Sequence, residues 1–279
     1  GVGSNPTFGN TNMRPERTVQ YEIGLQQSLN SSLAFEVTGF FKDIRDYLAL
    51  QTIRFSSVAG EDVYNIYLNR DYANVKGVTF SLTKRRARNG MLSAGVDYTF
   101  QIAEGNNNET NAFFYNHLSG RENELELIPL GFDQRHILSG TVTISKPGKW
   151  GLSIISSFST GYPYTPLLFD QKIDQLPNQD RKPSLTKLDA HLYKDINLPG
   201  RGHLRLFAKI FNVLDKLNET SVFSDTGRAS YSLNGQRGTH ASWEPAYGLP
   251  GIQNLNEFNT RPDFYSSPRE VRLGATLSF

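Results

Sequence analysis

The chain has 279 residues, 38% hydrophobic and 12% aromatic, with a net charge of +2 and no cysteine. No run approaches the roughly 18 to 20 apolar residues of a spanning helix, which excludes a helical membrane protein but not a barrel, whose alternating strands average out as polar. The near-neutral charge offers nucleic acid no basic field, and the lack of Cys removes disulfide frameworks, thiolate zinc and cysteine catalysis.

From Gly1 to Asn10 the chain is polar and Gly-rich, with neither the charged nor the apolar region of an export signal. Alternation of apolar and polar residues then predicts nine strands. The first runs from Thr18 to Gln27, with Val19, Tyr21, Ile23 and Leu25 on one face. After the turn Leu29-Asn30-Ser31-Ser32, the second starts at Leu33 and extends toward Leu50. The third ends on Val78, Phe80 and Leu82, and Asn89-Gly90 reads as a tight hairpin into the fourth, Leu92 to Gln101. Strand five, Arg135 to Ser145, turns at Lys146-Pro147-Gly148-Lys149 into strand six, Gly151 to Tyr162. Strand seven, Ser184 to Leu198, turns at Pro199-Gly200-Arg201-Gly202 into strand eight, His203 to Val213. The last strand alternates Val271, Leu273, Ala275, Leu277 and Phe279 to the terminal residue.

Connections after odd strands are short. Those after even strands are long and polar, including Ala103 to Leu130, Leu167 to Arg181 and Leu214 to Phe264. An ordinary soluble sandwich accounts for any one strand. Tight turns at one end and long loops at the other are instead the pattern of outer-membrane barrels. Opposite the apolar stripes lie Glu22, Glu36, Lys42, Asp97, Lys187, Asp189, Arg205, Lys209 and Arg272, as a wet lumen requires. Tyr98, Phe100, Phe158 and Tyr162, near strand ends, suit interfacial aromatic girdles. Nine is odd where bacterial single-chain barrels are even. Either an N-terminal part of the barrel is missing, or a strand is hidden within Gly1 to Glu16, or one of the nine is two strands merged or one strand split.

Five segments in order carry a family likeness: Met13-Arg14-Pro15-Glu16 before the first strand, Asp133-Gln134-Arg135-His136, Thr160-Gly161-Tyr162-Pro163-Tyr164-Thr165, Phe211-Asn212-Val213-Leu214-Asp215-Lys216 and Pro268-Arg269. Together they resemble the C-terminal barrel half of TonB-dependent outer-membrane receptors, of the kind with a carboxypeptidase-like regulatory domain. The resemblance implies an all-β, antiparallel transmembrane barrel of 22 strands with a plug in its lumen. Residues 1–279 would then be about nine C-terminal strands, without the plug. It also implies uptake of a scarce ligand, energised by the TonB complex acting through the absent plug. Phe279, Leu277, Ala275 and Leu273 become the signal read by the barrel-assembly machinery.

Evidence for other chemistry is thin. His117, His136, His191, His203 and His240 show no metal-ligand spacing, although His191 and His203 flank one short turn. A Gly-x-Ser-x-Gly elbow is absent. Asp189 and His191 share a face, from which a catalytic triad would also need a serine. Aromatics in the long loops (Ala112 to Tyr115, Trp243, Tyr247, Phe258 and Phe264) are either a ligand surface or loop packing. The expectation is a non-enzymatic outer-membrane receptor segment embedded in lipid, with no cofactor, no nucleic-acid partner and a ligand of unknown identity. The alternative is a complete small barrel acting as a passive pore or adhesin.

Overall fold

The computed structural model describes residues 6–57, 60–106, 127–166, 177–199, 202–233 and 261–278. The nine predicted strands are present as β2 (Arg17–Asn30), β3 (Leu33–Ser57), β4 (Gly60–Lys84), β5 (Leu92–Gly105), β7 (His136–Lys146), β8 (Trp150–Ser159), β11 (Leu185–Asn197), β12 (His203–Phe211) and β13 (Glu270–Ser278). Four two-residue pieces complete the set: β1 (Thr7–Phe8), β6 (Ile128–Pro129), β9 (Pro163–Tyr164) and β10 (Asp180–Arg181). The long strands form one antiparallel sheet in chain order, β2 to β13, each paired with its neighbours in sequence. Among the described residues the outer edges of β2 and β13 have no strand partner, and the sheet does not close on itself.

Register assigns every side chain a face, because directly paired residues point the same way. Ile23 lies opposite Gly39 and Val78 opposite Gly39 and Phe100. Leu192 lies between Leu152 and Ala208, and Leu273 opposite Ala208. This apolar face has no covering layer: Ile23 is 81% exposed and Leu273 78%, and mid-sheet Val78, Leu138 and Leu192 are exposed as well. A soluble sandwich would bury that face against a second sheet. Hydrocarbon is a solvent in which such an uncovered apolar face is stable.

Three expectations need correction. The segment Gly1 to Glu16 holds no tenth spanning strand among its described residues. It supplies only β1, which pairs in parallel with β4 (Thr7 with Asn65, Phe8 with Ile66). Second, the connection after the second strand is not a long loop, for β3 and β4 run on as 25-residue strands paired through to Ser57 and Gly60. A bulge hid this: the register shifts between Ile44 and Tyr47, with Asp46 in the left-handed region at φ 58°, and the extra residue breaks the period of two. Third, Asn89-Gly90 is not a two-residue hairpin. Pairing stops at Lys84 and Ala94, and the turn runs from Ala87 to Gly90, whose N–H donates to the Ala87 carbonyl at 2.9 Å. Pro147-Gly148 does form the expected turn, with Gly148 at φ 68°.

The main buried cluster sits on the polar face near the long-connection end. Ala73, Val75 and Ala103 pack there beneath Leu130, whose segment folds back over β4 and β5. Leu130 N–H anchors that segment to the Ala103 carbonyl at 3.0 Å.

Candidate functional site

The polar face divides into two walls. On β5, β7 and β8 it is mostly hydroxylic: Ser93 faces Thr143, Asp97 faces Ser139, Ser139 faces Ser157 and Thr143 faces Ser153. Thr143 and Ser153 share a hydrogen bond of 2.9 Å, and Asp97 accepts one from Ser81 at 2.6 Å.

On β11 to β13 the same face is ionic and aromatic. Arg205 makes a two-pronged contact with Asp195 at 2.6 and 2.9 Å while lying 4.6 Å above the Tyr193 ring. Lys187 pairs with Asp189 at 2.9 Å, and Arg272 with Glu270 at 2.5 Å. Lys209 stands 5.7 Å from the Phe207 ring centre and Arg272 5.1 Å from that of Phe211. Tyr193 and Phe207 each have a seat. A Cβ added to Gly151 would strike Tyr193, and one added to Gly274 would strike Phe207, so these glycines exist to let rings lie flat across the neighbouring strand.

At the long-connection end each wall is tied by a buried polar knot. Above β5 and β7 the knot is Asp133, fully buried. Its carboxylate accepts Ala103 N–H at 2.9 Å, Arg135 Nε at 2.8 Å and Arg181 Nη2 at 2.5 Å. Arg181 also reaches the Asp133 carbonyl at 2.6 Å, and Gln134 donates to Ser159 Oγ and the Thr160 carbonyl. Above β11 to β13 the knot is Asn212, in the left-handed region at φ 51°. Its Nδ2 donates to the Lys216 and Ser267 carbonyls, both at 3.1 Å, and its Oδ1 accepts Lys216 N–H. Its own N–H donates to Asp189 Oδ1 at 2.9 Å. Arg269 N–H closes the turn on Asp215 Oδ1 at 2.8 Å.

The connecting segments pack on one another at this rim. Tyr164 donates to Asp180 at 3.1 Å, and Gly227, at φ 65°, lies against the Tyr164 ring. Burial, with the carboxylates of Asp180 and Asp225 nearby, pushes the Tyr164 phenol up to about 12. Burial also acts to raise Glu219, but hydrogen bonds from Arg228 and Ala229 N–H and the charge of Arg228 outweigh it and hold that carboxyl low.

The structure separates several predicted candidates. His191 faces Lys209 while His203 faces Asn197. They are six rungs apart, about 20 Å along the strand, and do not come together. Asp189 shares a face with His191 but spends its hydrogen bonds on Lys187 and Asn212, and Ser153, opposite His191, bonds Thr143. His136 opens β7 as expected and shares a hydrogen bond of 2.8 Å with the Tyr98 hydroxyl. Tyr98, Phe100 and Phe158 all lie on the apolar face toward the long-connection end, where a girdle belongs. Phe264 packs on Phe223, 5.1 Å between ring centres, under Arg261, so this loop aromatic is packing rather than free surface. Trp243, Tyr247, Phe258, the Ala112 to Tyr115 run, His117 and His240 lie outside the described residues. So does Phe279, while Leu273, Ala275 and Leu277 sit on the apolar face opposite Ala208, Leu206 and Leu204. Sequence reasoning missed Arg181 altogether. Its partner Asp133 was visible only as part of a motif, without a role.

A family model, TonB dependent receptor-like, beta-barrel, matches residues 1–213. Among solved structures, the outer membrane transporter YddB from Escherichia coli superposes with a TM-score of 0.58 at 13% identity, covering 80% of this chain and 32% of that one. The ferric-catecholate import receptor Fiu from E. coli K12 superposes with a TM-score of 0.50 at 15% identity, covering 78% and 26%. At such identities the likeness is one of fold. The chain spans about a third or less of the length of these structures. No curated protein sequence matches it.

Proposed function

The chain belongs to the TonB-dependent receptor-like β-barrel family, resident in the bacterial outer membrane, and on that premise we propose that it forms part of the wall of a receptor that imports a scarce ligand with energy delivered through TonB. The observation that carries this reading is the two-sided sheet. An uncovered apolar face suits lipid, and the opposite face, set with ion pairs, suits a wet interior through which a polar solute passes. The knotted rim fits segments that meet ligand first, because loops held on a rigid scaffold are where binding residues concentrate. In this reading TonB acts on a plug domain carried elsewhere in the receptor.

The test compares solutes removed from growth medium by wild-type cells, cells lacking the receptor and cells lacking TonB. Mass spectrometry should find at least one solute left behind by both deletions. Uptake that needs the receptor but not TonB would replace this reading with a passive pore. For assembly, the exposed outer edge of β13 and its apolar row at Leu273, Ala275 and Leu277 support recognition of this strand by the barrel-assembly machinery. Removal of Phe279 should lower the amount of receptor in the outer membrane, and an unchanged level would sink that assignment.

A further inference from the structure

Direct cross-strand pairing puts the cations Lys209 and Arg272 opposite each other on one rung of the polar face, with His191 on the far side of Lys209. Like charges in directly opposed positions repel. A wall that pairs Lys187 with Asp189 and Arg205 with Asp195 shows that this face has carboxylates at its disposal. Arg272 has Glu270, but among the described residues Lys209 forms no ion pair. The rung also has an aromatic floor, with Phe207 beneath Lys209, Phe211 beneath Arg272 and His191 edge-on to Phe207 at 6.4 Å. It lies two residues from the long-connection ends of β12 and β13, close under the Asn212 knot. A solute arriving over the rim meets it before the deeper Arg205–Asp195 pair.

We propose that the Lys209–Arg272 rung is a binding site for an anionic solute, a carboxylate or phosphate carried on a planar aromatic body. The anion bridges the ammonium and the guanidinium, relieving their repulsion, while the planar body packs against the edges of the Phe207 and Phe211 rings, whose faces the two cations cover. A point charge on Lys209 and a planar fork on Arg272 suit an anion with two acceptor oxygens. The ring floor adds contact and favours flat over branched anions. The proposal rests on the receptor reading and sharpens it by naming a ligand class.

The test titrates phthalate, benzene-1,2-dicarboxylate, into the intact receptor in detergent. Benzamide serves as a ring without charge and citrate as a charge without a ring. Phthalate should bind the native receptor and lose about tenfold in affinity in Lys209→Gln and again in Arg272→Gln, the size of one charge-assisted hydrogen bond. Lys209→Arg should hold affinity within about threefold, since it keeps the charge. Benzamide should not bind, and citrate should bind more weakly than phthalate. Heat-modifiable gel mobility reports that each variant is folded. Phthalate binding unchanged in both glutamine variants would overturn the proposal. So would its absence in the native receptor, the result expected if an acidic segment of the receptor itself already occupies the rung. A receptor that binds phthalate here yet imports nothing through TonB would retain this site and lose the uptake reading.

Discussion

The hydroxylic wall of β5, β7 and β8 and the ionic wall of β11 to β13 are built on the same alternation, yet they put their charges in opposite places. The hydroxylic wall is nearly free of ions along its strands and is tied at the rim by a buried charged knot at Asp133. The ionic wall carries its charges along the strands and is tied at the rim by a neutral amide, Asn212. Charge is stable in either place for different reasons. Along a wet wall, water and cross-strand partners solvate it. Inside the rim only a full set of hydrogen bonds does so, and Asp133 has one from a backbone N–H and two from guanidinium groups.

That contrast is broken most severely by Asp133→Ala. It removes the buried carboxylate that Arg135, Arg181 and the Ala103 N–H share and should cost about 3–5 kcal/mol, as removal of one member of a buried ion cluster does. Unfolding of the intact receptor in guanidinium measures it, and a loss below about 1 kcal/mol would mean that the knot is solvated. Next in size is the difference between the faces of one strand. Val142→Arg, on the apolar face in the middle of β7, should cost about 2–4 kcal/mol in lipid. Its neighbour Thr141→Arg, on the polar face, should change stability by about 0.5 kcal/mol. Equal costs would contradict the assignment of faces. Asn212→Ala should cost about 2 kcal/mol, because three side-chain hydrogen bonds are lost and water replaces part of them. The cost should appear as loosening at the start of β13, read by hydrogen exchange, with β5 and β7 unaffected.

The smallest effect lies where the two rims touch, at Tyr164 against Gly227. Its phenol is raised from 10.0 to about 12 in the fold, so the neutral form is the one the fold favours. The stabilisation is complete below about pH 10 and is lost as pH rises through 10 toward 12. Wild type should therefore lose more stability over that window than Tyr164→Phe. Parallel profiles would show that the rims are less closely packed than the contact implies.

Much of this architecture was legible because a period of two states both the strand and its faces. Leu273, Ala275 and Leu277 declared an apolar row without any knowledge of their partners, and Lys146-Pro147-Gly148-Lys149 declared a turn. The extension of β3 and β4 was not legible, because the Asp46 bulge shifts the alternation and polar residues such as Asn65 and Asn69 fill the projecting part. The Asn89-Gly90 dipeptide misled for a related reason: its turn closes at Ala87, outside the ladder that ends at Lys84.

By itself, then, the sequence determined that the chain makes alternating strands with one apolar and one polar face, joined by short turns at one end and, except between β3 and β4, by long connections at the other. Side-chain periodicity is a local property, so the linear pattern suffices. Only the tertiary structure decided which polar residues meet. Arg181 reaches Asp133 across 48 positions, and Lys209 comes to face Arg272 only through the β12–β13 register. Register is set by the whole ladder at once, and a slip of one residue would turn every one of these side chains to the other face.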